Sequence, residues 1–154
     1  MRRSIRDRLT SLLGRKPPDM QVAALCRDSR SGRVLLVTSR GTGRWIVPKG
    51  WPMPGRSLAD AALREAWEEA GVQGTVVQTA IGSYHYDKQQ EQGFAIPVEV
   101  HVFAVEVDGL SEQFPEASQR RREWFAPVRA AELVAEAGLR KLLLALPASA
   151  RSRT

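Results

Sequence analysis

The sequence has a single cysteine, Cys26, among its 154 residues. One thiol excludes an internal disulfide framework and any zinc site built from several cysteines. Cys26 lies in the apolar run VAALC, where a cysteine usually behaves as a small hydrophobic side chain. We therefore expect Cys26 to be a buried core residue.

Long hydrophobic runs are absent as well. No stretch of about 18 apolar residues occurs, so the sequence predicts no membrane-spanning helix. Residues 1–16 lack both the apolar segment and the small-residue cleavage site of a secretory signal. There is also no internal repeat and no low-complexity tract, and we expect one globular domain located in the cytoplasm.

Positive charge is concentrated at the two ends of the chain. The formal net charge is +6, but residues 1–16 hold six basic side chains against Asp7, and Arg151 and Arg153 add two more. Residues 17–150 therefore carry a net charge of only −1. A near-neutral body argues against nucleic-acid binding by the domain itself, so nucleic acid is an open but unfavoured partner.

The basic N-terminal segment has four apolar side chains at helical spacing: Ile5, Leu9, Leu12 and Leu13. Three interpretations stay open, namely a solvated or loosely docked extra helix, a basic arm for phosphates, acidic lipid or RNA, and an organelle transit peptide. We divide the chain into a basic extension at 1–19, a domain at 20–147 and a C-terminal tail at 148–154.

Apolar periodicity and turn residues predict strands on both sides of one central helix. Ser57 begins this helix as a cap, and Gly71 ends it. A Gly/Pro-rich loop at 49–56 precedes the helix, and one or two helices with a break near Gly138 occupy 129–146. The predicted strands lie at 21–27, 33–39, 44–48, between 72 and 86, at 94–107 and at 122–128. This order predicts an α/β fold with a mixed β-sheet flanked by helices.

The central helix carries three glutamates, Glu65, Glu68 and Glu69, within about 100° of arc. Glu65 and Glu69 are four residues apart, so their like charges repel each other. Arg64 lies four residues before Glu68 and is expected to pair with it. Clustered carboxylates suit a hard divalent cation such as Mg²⁺ or Mn²⁺, which removes the repulsion. A solvated acidic face is the alternative that the helix alone leaves open.

The segment that starts at Gly50, GWPMPGRSLADAALREAWEEAGV, resembles the Nudix box, G-x5-E-x7-R-E-U-x-E-E-x-G-U, where U is a bulky apolar residue. Two positions depart from the box, because Arg56 replaces its first glutamate and Ala66 replaces a bulky apolar residue. The matching positions are Gly50, Arg64, Glu65, Glu68, Glu69, Gly71 and Val72.

The resemblance implies a Nudix-type α/β/α sandwich and a hydrolase that cleaves a diphosphate linkage with Mg²⁺ or Mn²⁺. By the same resemblance, Glu65, Glu68 and Glu69 supply the metal ligands, together with a backbone carbonyl of Gly50 or Lys49. Glu68, Glu69 and Arg64 are the implied catalytic residues, with Arg64 orienting the glutamates. The general base stays open between a box glutamate and the later acids Glu112 and Glu116.

Outside the box, VLLVTSR, RWIVPKG and RRREWF resemble the Nudix branch that hydrolyses diphosphoinositol polyphosphates and diadenosine polyphosphates. In that branch basic residues bind a densely phosphorylated ligand, which makes the substrate a polyphosphorylated small molecule. The segment KQQEQG at 88–93 does not reproduce the branch's basic cluster, which favours a nucleotide substrate over an inositol one. The substrate-binding candidates are Ser39, Arg40, Arg44, Lys49, His85, Lys88 and Arg121, the last within the run Arg120–Arg122.

Plainer interpretations of several candidates remain open. The run Arg120–Arg122 is typical of a solvated loop. The alternative for His85 is an ordinary surface histidine with no role in binding. Trp45, inside a strand, is expected in the core, whereas Trp51 in the box loop is expected to pack or to stack on a base.

Two alternative functions also stay open. Arg56 leaves room for a catalytically weak nucleotide-binding regulatory module. The basic extension leaves room for an RNA 5′-end pyrophosphohydrolase. The oligomeric state is expected to be monomer or homodimer.

Overall fold

The structure is a computed structural model that describes residues 19–148. The predictions about the N-terminal amphipathic segment and about most of the C-terminal tail lie outside these residues and stay predictions. Within the described range the elements are β1 (Asp19–Arg27), β2 (Val34–Thr38), β3 (Trp45–Ile46), β4 (Lys49–Gly50), α1 (Leu58–Ala70), β5 (Val72–Val76), β6 (Gly82–Gln89), β7 (Ala95–Leu110), β8 (Arg122–Phe125), α2 (Pro127–Leu133) and α3 (Ala137–Leu144).

The strands form one mixed sheet. All of β1 pairs in parallel with β7, from Asp19 opposite Val98 to Arg27 opposite Glu106. The other pairings are antiparallel. On its other edge, β7 pairs first with β6 and then, further along the strand, with β5. β1 also pairs with β2 and β4, and β2 pairs with β3 and β8. The predicted mixed sheet is therefore confirmed.

Helices cover both faces of this sheet. Along β1, Val22, Ala24 and Cys26 pack with α1, whereas the alternate residues Ala23 and Leu25 pack with α2 and α3. Side chains alternate between faces with a period of two, so one apolar strand supplies both cores. The α/β/α sandwich is confirmed, and Cys26 is fully buried as expected.

The structure corrects three boundaries. The strand predicted at 122–128 ends at Phe125, and α2 begins at Pro127. The segment predicted as a loop at 49–56 begins with the short strand β4, whose Gly50 and Lys49 pair with Val22 and Ala23 of β1. The break between the C-terminal helices falls at 134–136 rather than near Gly138, which lies inside α3. Glycine is used there for close packing, because a Cβ at position 138 would run into Tyr84. No helix between residues 19 and 148 is long and apolar enough to span a membrane.

Candidate active site

The N-terminal and C-terminal ends of α1 are fixed by local interactions that the sequence predicts. The hydroxyl of Ser57 accepts a hydrogen bond from the Asp60 N–H at 3.0 Å, which caps the first turn. Gly71 ends the helix with φ +67°, a left-handed conformation that favours glycine. These two caps fix the ends of the helix that carries the glutamates.

Gly50 and Glu65 are in direct contact across the gap between β4 and α1. A Cβ at position 50 would overlap the carboxylate of Glu65 and would lie 2.8 Å from its Oε2. Any side chain larger than hydrogen would therefore displace this carboxylate. The glycine of the box is required here by close approach, since its backbone needs no special conformation.

Glu69 is the most buried acid of the described chain, with 5% of the residue exposed. Its Oε1 accepts a hydrogen bond from the Lys49 backbone N–H at 3.3 Å and lies 3.8 Å from Nη2 of Arg120. Arg120 is also buried, and its Nε donates to Oε1 of Glu116 at 3.1 Å while its Nη1 donates to the Thr38 carbonyl at 3.0 Å. This network holds Glu69 beside β4.

Burial dominates the electrostatics of the two paired glutamates. Burial raises the pKa of Glu69 to about 8; Arg120 opposes this rise, and the nearby Glu65 adds to it. Burial also raises the pKa of Glu65, whose carboxyl group shares a hydrogen bond with Glu69. The fully ionised pair is disfavoured on its own, and a cation between the two oxygens would reverse that preference.

Glu68 is held differently. Its Oε1 accepts a hydrogen bond from Nε of Arg64 at 3.0 Å, as the i,i+4 spacing predicts, and its backbone carbonyl accepts from the Glu116 N–H at 3.0 Å. Among residues 19–148 no three acidic, histidine or cysteine side chains are gathered closely enough to hold a metal ion. The structure therefore brings Glu65 and Glu69 together and leaves Glu68 paired with Arg64.

The donor chemistry nevertheless fits a hard divalent cation. Glu65 and Glu69 offer carboxylate oxygens, and the missing side chain at Gly50 lets the Glu65 carboxylate lie against the backbone of β4. Of the later acids, Glu116 reaches this group through Arg120, whereas Glu112 is an exposed partner of Arg122. A site at this place would therefore have Glu116 beside it.

The arginine run is not a solvated loop. Arg120 is buried against Glu69, and Arg122 donates from Nη1 to the carbonyls of Ala70 at 2.6 Å and Ser111 at 2.8 Å. Arg122 thereby satisfies a terminal carbonyl of α1. Arg121 is exposed, with its guanidinium 5.7 Å from the ring centroid of Trp45. The first and third arginines are thus structural partners of the site, and only Arg121 lies open to solvent.

Two predicted cations, Lys49 and Lys88, lie on the face of the sheet that carries α2 and α3. Lys49 pairs with a β1 residue of that face, and its Nζ lies 5.3 Å from the ring centroid of Tyr86. Burial lowers the pKa of Lys49, nearby Glu136 and Glu69 raise it, and the charges of Lys88 and Arg44 lower it further. Lys88 and Arg44 therefore lie within electrostatic range of Lys49.

The other candidates lie elsewhere. His85 is exposed on the α1 face of the sheet, 3.9 Å from Oε2 of Glu99, whose Oε1 lies 3.2 Å from Nε2 of His101. Arg40 lies 3.6 Å from Glu116 and donates to the Gln119 side chain. The hydroxyl of Ser39 accepts from the Arg44 N–H, so Ser39 shapes the turn that carries Arg44. Trp45 packs edge-on against Phe125, whereas Trp51 is 45% exposed in the box loop.

A family model for the NUDIX domain matches residues 17–146. The chain belongs to the NUDIX domain family. The resemblance carried by the box is thus confirmed. Arg56 and Ala66 are departures within a true member of the family.

Named hydrolases are among the relatives of this NUDIX domain. Diphosphoinositol polyphosphate phosphohydrolase 3-alpha of Mus musculus is 36% identical over 109 residues, which cover 68% of this chain and 62% of the mouse protein. Nudix hydrolase 4 of Arabidopsis thaliana is 33% identical over 111 residues, 72% of this chain and 52% of the plant protein. The NUDIX domain thus spans less than two thirds of either relative.

Solved structures share the fold. The NUDIX hydrolase from Nitrosomonas europaea superposes with a TM-score of 0.63 at 22% identity, covering 83% of this chain and 87% of that one. The C. elegans Ap4A hydrolase superposes with a TM-score of 0.59 at 20% identity, covering 83% and 95%. At these identities the likeness shows the fold alone, and it supports the α/β class.

Proposed function

We propose that this NUDIX domain is a divalent-cation-dependent hydrolase that cleaves a diphosphate linkage in a polyphosphorylated small molecule. The substrate is of the dinucleoside polyphosphate or diphosphoinositol polyphosphate type. One observation carries the proposal: the Glu65–Glu69 carboxyl pair lies against β4, whose Lys49 lies on the opposite face within electrostatic range of Lys88 and Arg44. The two-residue strand β4 therefore contacts the candidate metal-binding acids of α1 and also carries one of the candidate phosphate-binding cations.

The family supports the cation requirement, because Nudix hydrolases generally use divalent metals such as Mg²⁺. Glu65 and Glu69, with a backbone carbonyl of Gly50 or Lys49, would hold Mg²⁺ or Mn²⁺ in this proposal. Glu68, which Arg64 holds in the structure, would be the third carboxylate ligand. Such a cation, when bound, neutralises phosphate charge and lowers the pKa of a water.

The chain's own residues bind and orient the substrate in this proposal. Lys49, Lys88 and Arg44 hold its phosphate groups, and Arg40 and Arg121 contribute at the exposed rim. Arg64 sets the rotamer of Glu68, while Arg120 keeps Glu69 in place and Glu116 close by. Glu116 is the later-loop acid best placed to take a proton from water.

The names of the relatives support the substrate class. The mouse relative is named for diphosphoinositol polyphosphates and the C. elegans structure for Ap4A, and both ligands carry linked phosphates. The RNA alternative depends on residues 1–16, which lie outside the described residues, and no observation in the structure favours it. The cytoplasmic location and the monomeric or homodimeric state stay predictions.

A substrate panel tests the proposal directly. The protein is incubated with Mg²⁺ or Mn²⁺ and with dinucleoside polyphosphates, diphosphoinositol polyphosphates, nucleotide sugars or 5′-triphosphate RNA, and released phosphate products are measured. We expect turnover of the first or second class that requires the cation. Glu69→Gln should lower kcat by about 100-fold or more, because it removes a carboxylate ligand of the cation on which turnover depends.

Glu132→Gln is the matched control. Glu132 is an exposed acid of α2 that forms a surface pair with Arg129, so its loss should leave turnover unchanged. Absence of turnover on the whole panel by a folded protein that still binds phosphate ligands would identify a regulatory binding module instead. Turnover of RNA alone would favour the RNA 5′-end alternative.

A further inference from the structure

A groove of about 410 Å³ lies beside α1 and the start of β5. Two arginines line it, Arg56 from the loop before the helix and Arg64 from the helix itself, and Leu63 and Trp67 add apolar side chains. Arg56 occupies the position of the first glutamate of the box, so a basic residue lies where the box has an acid. The departure from the box therefore gives this groove a second guanidinium group.

The charged side chains of the groove are unequally engaged. Arg64 is 43% exposed and donates from Nε to Oε1 of Glu68 at 3.0 Å. Asp60 accepts a hydrogen bond from Nε2 of Gln78 at 2.9 Å. Arg56 is exposed, and its side chain forms no hydrogen bond or ion pair with any residue of the described chain. One guanidinium is thus without a partner, and the other is shared with a carboxylate that does not line the groove.

A phosphate group suits this arrangement. Guanidinium groups donate paired N–H bonds to phosphate oxygens, and one phosphate dianion carries enough charge for two arginines. The apolar side chains of Leu63 and Trp67 keep water from part of the groove, which strengthens such a contact. The charge of Asp60 opposes anions, so a single phosphate group is favoured over a more highly charged polyphosphate.

Glu68 connects the groove to the candidate cation site. Arg64 holds this carboxylate, which would be the third ligand of the cation. A phosphate that binds Arg64 competes with Glu68 for the guanidinium and leaves Glu68 free to bind the cation. A cation that takes Glu68 leaves Arg64 free to bind phosphate in return. The two ligands should therefore strengthen each other by the same factor.

We propose that this groove is an effector site, in which a phosphate monoester or inorganic phosphate binds between Arg56 and Arg64 and strengthens cation binding through Glu68. Attack of water on a diphosphate linkage leaves one phosphate group on each product, so the effector belongs to the chemical class of the products. This inference rests on the proposed cation site and adds a second phosphate site, separate from Lys49, Lys88 and Arg44.

Mn²⁺ titration with and without AMP tests the coupling. Wild type, Arg56→Ala and Arg33→Ala are compared at equal ionic strength, with free Mn²⁺ followed by paramagnetic resonance. AMP bound near Lys49 affects all three proteins alike, so the ratio of Mn²⁺ affinities with and without AMP isolates the groove. We expect this ratio to be about three- to fivefold higher in wild type than in Arg56→Ala, the value of one exposed ion pair. Arg33, an exposed arginine between β1 and β2, does not line the groove, so Arg33→Ala should behave as wild type.

Calorimetry in the presence of a chelator separates the groove from the proposed function. AMP and inorganic phosphate are titrated separately, and the ligand whose binding depends more on Arg56 identifies the source of the phosphate group. Arg56→Ala should weaken binding at one site by about 10-fold or more, the usual effect of losing a charge-assisted hydrogen bond. Thermal unfolding of Arg56→Ala should match wild type, since its side chain holds no other part of the described chain.

The opposite results are distinct. Binding of AMP and of inorganic phosphate that is the same in wild type and Arg56→Ala would overturn the effector site. Binding that depends on Arg56 without any change in Mn²⁺ affinity would overturn the coupling through Glu68. Failure of every substrate to turn over, with coupling between AMP and Mn²⁺ still dependent on Arg56, would reject the hydrolase and keep the effector site.

Discussion

The carboxylate of Glu65 lies directly against the backbone of Gly50, in space that a Cβ would occupy. The contact joins the start of the box to its helix and determines where one of the two paired acids is held. Since the contacting atoms are at the flexible end of the glutamate, a larger residue at position 50 would move the carboxylate rather than unfold the chain.

Gly50→Ala is therefore expected to reduce cation affinity much more than stability. We expect Mn²⁺ affinity to fall by about 10- to 100-fold, as when a metal ligand loses its support, with a change in unfolding free energy below about 1 kcal/mol. Mn²⁺ titration and urea denaturation measure the two effects. Gly109→Ala is the control, because its Cβ would meet nothing closer than Gln73 at 3.7 Å. A large loss of stability with unchanged Mn²⁺ affinity would contradict this account.

Arg120 is expected to matter most for stability. It is the buried counter-charge between Glu69 and Glu116, so Arg120→Ala leaves Glu116 with only the exposed Arg40 and raises the pKa of Glu69 further. Loss of one member of a buried ion pair typically costs about 3–5 kcal/mol of unfolding free energy, which urea denaturation measures. Arg129→Ala removes an exposed pair and should cost less than about 1 kcal/mol. Similar costs for both variants would show that the Arg120 network is dispensable.

Cation binding should depend on pH through Glu69. Its folded-state pKa, about 8, lies above the ordinary value of 4.5. Because the folded, cation-free protein binds this proton more tightly than the unfolded chain does, the proton contributes to folding stability. The contribution is complete below pH 4.5 and is lost as pH rises through about 8. A cation must displace this proton, so its affinity should fall by up to about tenfold per pH unit below that pKa.

The thermal shift produced by Mg²⁺ measures this dependence. The shift should grow steadily from about pH 6 to about pH 9, because the proton competes less at each step. In Glu69→Gln the shift should be small and nearly independent of pH. A wild-type shift that is already at its maximum near pH 6 would mean that Glu69 is ionised there and that burial does not control its proton.

Much of this site was predictable because the box encodes it at fixed spacing. Ser57, Gly71 and the Arg64–Glu68 pair follow local rules of helix capping and i,i+4 contact, and the structure shows each of them. The glutamate cluster was predictable as a set on one border of α1. Helical spacing alone does not indicate that Glu65 and Glu69 meet while Glu68 stays with Arg64, because side-chain rotamers and burial decide that.

Residues brought in by tertiary packing left no local signal. Glu136 belongs to no sequence motif, and the burial of its Oε2 depends on how α3 packs on Tyr84. His85 and Lys88 are three residues apart in β6 and so face opposite sides of the sheet, which separates two predicted phosphate ligands. The two-residue strand β4 is too short to show any periodicity.

The substitution of Arg56 for the first glutamate of the box gives the last prediction. Arg56 and Arg64 line one groove of about 410 Å³ along α1, together with Trp67. Among residues 19–148 the Arg56 side chain has no hydrogen bond or ion pair, whereas Arg64 donates to Glu68 at 3.0 Å. Arg56→Glu would place a second carboxylate beside Arg64 and compete with Glu68 for it. Release of Glu68 should raise Mn²⁺ affinity by about three- to fivefold, the equivalent of one exposed ion pair.

Arg56→Ala offers Arg64 no new partner and should change Mn²⁺ affinity less than about twofold in the same titration. If Arg56→Glu instead weakens Mn²⁺ binding or abolishes turnover, then Arg56 takes part in the site, and the Arg64–Glu68 pair does not restrain Glu68.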